Sequence, residues 1–189
     1  MNRIHKGLTV AELAAIVSEA FNSAGIEAVL GGGSVATIYS DNQWESRDLD
    51  FIVARVERKR IVEILTGLGF HEESAGWFSH PDHTQYVNTS PWPIVIGEEE
   101  IDHWATLTTD AGELQILTPT QCVKDRLTGF YHGHDRQSLD RAVAVSTRQD
   151  VDLREIERWS EGEREPDKLK EFLEAVQRTK ATQKRKSSR

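Results

Sequence analysis

The stretch LGGGSVATIYSDNQWESRDLDFIV, residues 30–53, decides the fold. A short apolar strand, Ile26 to Leu30, runs into Gly31-Gly32-Gly33-Ser34, and a short helical run follows through Val35, Ala36, Ile38 and Tyr39. Residues 41–47 are polar and loop-like, and Asp48-Leu49-Asp50 stands at the head of a second apolar strand ending at Val53. Each part has a chemical reason. Glycines without a Cβ let the backbone come close to a ligand, and the N–H groups of a helix start bind phosphate oxygens. Ser34 adds a hydroxyl at the same place. Residues two apart on a strand share a face, so Asp48 and Asp50 point the same way, roughly 6.6 Å apart along the backbone. Leu49 and Phe51 point oppositely, into the core. Two carboxylates so placed can converge on a hard cation such as Mg²⁺, which takes oxygen ligands at about 2.0–2.1 Å.

Other readings of the segment fit less well. Gly31 to Ala36 formally matches the G-x-G-x-x-A of dinucleotide-binding folds. The helix after it is too short for a crossover between parallel strands, and the acids precede the second strand's apolar run where a ribose-binding carboxylate ends it. A phosphate-binding P-loop fails because no Gly-Lys-Ser/Thr follows. The bland reading, a glycine turn and two strand-capping aspartates, explains each piece singly and leaves their order and spacing unexplained.

Outward from this segment the chain alternates first and then turns helical. Thr9 opens a capping box with Glu12, and Leu13, Ile16, Val17, Ala20 and Phe21 make the apolar stripe of a helix that Gly25 ends. Val56 to Leu65 reads as another helix. From Gly69 to Leu117 short β-rich pieces (Trp77-Phe78, Gln85 to Val87, Pro93 to Ile96, Trp104 to Thr108, Glu113 to Leu117) are separated by turn residues. Thr118-Pro119 then switches the chain to helix, with segments expected over 119–131, 135–147, 152–160 and from Pro166 to about Arg178. The expectation is an α+β fold: a mixed sheet flanked by helices over 1–117, a helical C-terminal region over 118–178, and a disordered basic tail over 179–189.

Composition limits the function. The 189 residues carry a formal charge of −8, which argues against a surface that broadly coats nucleic acid. No stretch is apolar enough for a membrane span, and the first residues lack a signal-peptide core. A single cysteine, Cys122, fits a reducing cytoplasm and reads as core packing. His80-Pro81-Asp82-His83 and His132-Gly133-His134-Asp135 lack the spacing of a zinc site and read as surface turns. The five tryptophans read as buried, with Trp44, in the loop between glycines and aspartates, the one placed to stack a base.

The glycine segment resembles the signature of the nucleotidyltransferase (polymerase-β-like) superfamily: a hydrophobic residue, Gly-Gly or Gly-Ser, about nine to thirteen residues, then Asp-hydrophobic-Asp/Glu-hydrophobic. Here Gly33-Ser34 is followed by thirteen residues and Asp48-Leu49-Asp50-Phe51. The stretch TPTQCVKDRLTGFYHGHDRQSLDRA, residues 118–142, is similar to the helical half of bacterial stand-alone nucleotidyltransferases, including abortive-infection toxins of type IV toxin–antitoxin systems. The resemblance implies transfer of an NMP group from an NTP to a hydroxyl acceptor (a tRNA end, a protein hydroxyl or a small molecule), and an antitoxin partner where the toxin likeness holds. It implies that Gly32, Gly33 and Ser34 hold phosphates and Asp48 and Asp50 bind Mg²⁺. Lys124 would neutralise the triphosphate, and Asp135 would orient Lys124 or a metal ligand. The superfamily's third carboxylate, often the general base, would lie on the Tyr86-Val87 strand, where this chain has Asn88. Glu113, Asp82 or one of Glu98–Glu100 could replace it; otherwise the domain binds nucleotide without turning it over.

Overall fold

A computed structural model describes residues 3–187. The chain begins with α1 (Val10–Ser23), whose capping box is formed as the sequence predicts. The Glu12 amide donates to Thr9 Oγ1 at 3.2 Å and the Thr9 amide to Glu12 Oε2 at 2.7 Å. Gly25, at φ 72°, turns the chain into β1 (Ala28–Gly31), and α2 (Gly32–Tyr39) follows directly. Then come β2 (Asp48–Val53), α3 (Arg58–Gly67), β3 (His71–Ser74), β4 (Trp77–His80), β5 (His83–Pro91), β6 (Ile94–Ile96), β7 (Glu99–Ile101), β8 (Ala105–Thr109) and β9 (Gly112–Ile116). Four helices complete the chain: α4 (Pro119–Gly133), α5 (Arg136–Ser146), α6 (Leu153–Glu163) and α7 (Pro166–Ser187). Among the described residues no helix is long and apolar enough to cross a membrane.

Seven strands form one mixed sheet in the order β3-β4-β5-β2-β1-β9-β8, and β6 and β7 pair as a separate hairpin. β2 is antiparallel to β1 and parallel to β5, while β1 is parallel to β9. The eight residues of α2 thus join antiparallel neighbours, so no crossover exists and the dinucleotide reading falls. Leu49, Phe51 and Val53 are buried, and Phe51 meets Phe21 of α1 at 6.2 Å between ring centroids. Full burial of side chains of this size contributes about 1.5–3 kcal/mol each. Asp48 and Asp50 point to the opposite face.

Two strands escape the sequence reading. His71–Ser74 is exposed throughout and Glu99–Ile101 is mostly polar, so neither carries an alternating apolar pattern. The expected disordered tail is also corrected: α7 continues as helix to Ser187. Phe172 and Val176 are buried, Thr179 Oγ1 donates to the Ala175 carbonyl at 2.9 Å, and Lys184, Arg185 and Lys186 sit in the last turn, where positive charge favours a helix end. Residues 188–189 of that tail lie outside the described residues.

Candidate functional site

The site is assembled where β1 gives way to α2. Gly31 is the N-cap, extended at φ −119° and ψ −162°, and no side chain caps the helix. The first-turn N–H groups, from Gly32, Gly33 and Ser34, are therefore left for a ligand, at the positive end of the helix. Gly32 adopts φ 68°, a left-handed conformation natural to glycine, and a Cβ there would lie 2.3 Å from Asp50 Oδ2. The glycine backbone thus rests against the carboxylate of the strand beside it. At Gly33 a Cβ would meet Ser46 Oγ at 3.1 Å and an Arg141 guanidinium nitrogen at 3.2 Å. Ser34 is fully buried, its Oγ directed to the Gly31 carbonyl at 3.5 Å.

Asp48 and Asp50 are half-buried on one face of β2, with Leu49 and Phe51 on the other. Register places Asp50 between Gly31 of β1 and Asn88 of β5. Asn88 Nδ2 donates to Asp50 Oδ1 at 3.2 Å. Asn88 is therefore the β5 residue that faces Asp50. Burial raises the Asp50 pKa above the ordinary carboxylate value; the Asn88 hydrogen bond opposes this, Asp48 adds to it, Arg126 lowers it and Asp125 raises it. Glu99 is bound to Lys124 and Arg158, and Glu113 lies on β9, two strands from β2.

The helical half contributes differently from expectation. Lys124 is buried, and its ammonium lies 2.7 Å from Glu99 Oε2 and also bonds Glu155. Both carboxylates pair with it in the interior between α4, α6 and β7. Its neighbours Asp125 and Arg126 are the α4 residues that Asp50 senses, with the Arg126 guanidinium, mostly buried, bonded to Asp125. Asp135 is the N-cap of α5, accepting from the Gln137 amide at 2.9 Å and Ser138 Oγ at 2.7 Å. It stands at the base of the helix that carries Arg141, whose charge it feels. Arg141 is the cation that sequence reasoning missed: its Nε is buried without a hydrogen-bond partner, and its guanidinium faces Gly33.

Two burial assignments are corrected. His80 is buried against Phe70, at 5.2 Å between ring centroids, and is a core residue. Trp77 is exposed. Trp44 is partly buried and, with Arg148 and Arg178, lines a groove of about 500 Å³ between the 41–47 loop, α5 and α7.

Among the described residues no three His, Cys, Asp or Glu side chains gather as a metal cage. The donor set nevertheless fits Mg²⁺, which is commonly held by one or two carboxylates and completes its shell with substrate phosphates and water. Asp48 and Asp50 share a face, and the desolvated Asp50 carboxylate gains most from a cation.

No protein-family model matches the sequence, and no curated protein is similar to it. The fold is similar to an antigenic nucleotidyltransferase-like protein from Paracoccidioides brasiliensis, at a TM-score of 0.52 and 12% identity over 75% of each chain. It is similar also to the lincosamide antibiotic adenylyltransferase LnuA bound to lincomycin, at a TM-score of 0.52 and 13% identity, over 75% of this chain and 99% of that one. The architecture is thus the nucleotidyltransferase fold, a mixed sheet flanked by helices with a helical C-terminal region.

Proposed function

We propose that the protein is a nucleotidyltransferase that moves an NMP group from an NTP to a hydroxyl acceptor with Mg²⁺. One observation carries this reading: the uncapped start of α2 closes directly on the Asp50 carboxylate, so a phosphate cradle and a metal-type acid share one cleft. The N–H groups of Gly32, Gly33 and Ser34, with Arg141, hold the β- and γ-phosphates. Asp48 and Asp50 would hold Mg²⁺. Mg²⁺, when bound, supplies Lewis-acid stabilisation of the charge that develops on the phosphoryl oxygens. The acceptor oxygen forms a new bond to the α-phosphorus, the bond to the bridging oxygen breaks, and pyrophosphate leaves. Asn88 has no basic atom, so the acceptor's proton passes to a carboxylate of the pair or to water.

Arg141→Ala isolates the phosphate clamp. A charge-assisted hydrogen bond contributes about 1.5–3 kcal/mol, so NTP·Mg²⁺ binding measured by calorimetry should weaken roughly ten- to a hundredfold. Thermal stability should stay near that of the wild type, since the buried Nε has no partner to lose. Unchanged nucleotide affinity would remove Arg141 from the site.

Asn88, hydrogen-bonded to Asp50, favours a second reading, a module that binds nucleotide without turnover. Incubation with each NTP and Mg²⁺ separates the two: pyrophosphate release supports the enzyme, and tight binding without product supports the module. Lys124 and Asp135, which carried the likeness to toxin relatives, pair with Glu99 and Glu155 and cap α5 respectively.

A further inference from the structure

β2, β5 and β4 lie side by side, and their register aligns one set of side chains on the face opposite the core. Asp50, Asn88 and Trp77 form one row across the three strands, and Asp48 and Tyr86 the next. The alternate row, Leu49, Val87 and Phe78, is buried. Trp77 and Tyr86 are 37% and 40% exposed, and their rings meet edge to face with centroids 6.4 Å apart. A single exposed aromatic needs no explanation. Here two touch as a diagonal cross-strand pair, in the two rows that hold Asp50 and Asp48 on β2.

Resting on the nucleotidyl-transfer reading, we propose that Trp77 and Tyr86 are the platform for the acceptor, and that the acceptor is a neutral or cationic ring-bearing hydroxyl compound. A sugar-type ring lies against the aromatic faces, which attract C–H edges and cations through their quadrupoles. Its hydroxyl is then directed along the sheet toward the α-phosphate beside Asp48 and Asp50. That oxygen forms the new bond to phosphorus as pyrophosphate departs, and its proton goes to a carboxylate or water.

Charge selects the class. Residues 71–91, which supply β3, β4 and β5, contain Glu72, Glu73 and Asp82 and no Lys or Arg. Glu73 accepts from Ser79 Oγ, two residues beyond Trp77 on β4, so it lies on the same surface. Arg58 pairs with Glu72, and Arg47 stands exposed just before β2. Nucleic acid binding requires cations along the phosphate track, which these strands do not offer.

Saturation-transfer NMR on the full chain, with Mg²⁺ and a non-hydrolysable ATP analogue, tests this with three probes: methyl glucoside, glucosamine and hexauridylate. Both sugars should receive saturation, glucosamine more strongly, and hexauridylate should not compete. Trp77→Ala and Tyr86→Ala should each weaken sugar binding about three- to tenfold, the scale of one aromatic contact. Binding of the ATP analogue, measured by calorimetry, should be unchanged in both variants. Sugar signals absent from the wild type, equal in the variants, or displaced by hexauridylate would overturn the platform. Sugar binding that maps to Trp77 and Tyr86 without any binding of the analogue would support the ring site and sink the nucleotidyl-transfer reading instead.

Discussion

Asp50→Ala is expected to lower nucleotidyl transfer, read as pyrophosphate release, by at least about a hundredfold, the usual loss when a key electrostatic group is removed. The fold should survive. Asp50 sits on the non-core face of its strand, and in the ligand-free protein its charge is a burden: burial raises its pKa, Asp48 and Asp125 add repulsion, and only Asn88 and Arg126 relieve it. The sign of the linkage follows. A carboxyl whose folded pKa is raised contributes stability below the unfolded value and loses it as pH rises through the folded one. At neutral pH, without metal, the ionised Asp50 is therefore destabilising, and its removal should leave the melting temperature unchanged or slightly raised. NTP with Mg²⁺ should raise the melting temperature of the wild type by mass action and do so much less in the variant. Chelation by EDTA should abolish that difference. Undiminished turnover in Asp50→Ala would remove the aspartate pair from the chemistry.

Local rules made the centre of this site legible, and long-range packing hid its walls. The glycine run, the i, i+2 aspartates and the Thr9 and Thr118 caps are each fixed by a few consecutive residues, and all appear as read. Asn88 could be named from its strand, yet its bond to Asp50 depends on β2 and β5 being parallel neighbours, a pairing across 38 residues. Strand order is not written locally, so the shared face of Trp77, Tyr86 and Asn88 was invisible. The inward direction of Lys124 was not read, although periodicity held a signal. Lys124, Leu127 and Tyr131 fall at i, i+3 and i+7, a stripe that is buried throughout, so Lys124 had to face the interior. Cys122, Arg126 and Phe130 make a second stripe at i, i+4 and i+8. Arg141, beside buried Ala142 on α5, shows itself only once Gly33 is brought opposite it.

The inward direction of Lys124 has a measurable cost. Its side chain is 4% exposed, bonded to Glu99 and Glu155, with the ammonium 6.0 Å from the Trp159 ring centroid. Arg158 closes the network on the same two carboxylates, at 2.5 Å from Glu99 and 2.6 Å from Glu155. The cluster ties the β6–β7 hairpin to α4 and α6. Breaking a buried pair from one side costs about 3–5 kcal/mol, and partial solvation of the acids with Arg158 still in place reduces this, so Lys124→Ala should lose about 2–4 kcal/mol in denaturant unfolding. Lys124→Met should recover the part due to the buried stem. Acid should report the same network. Glu155 is held down to about 2, first by Arg158 and then by Lys124 against the effect of burial. A depressed carboxyl stabilises above its ordinary value of 4.5, and that contribution disappears as pH falls toward about 2. The wild type should therefore lose more stability than Lys124→Ala across that window. Were Lys124 a triphosphate ligand, the outcome would invert: nucleotide affinity would collapse while unfolding and its acid dependence stayed as in the wild type.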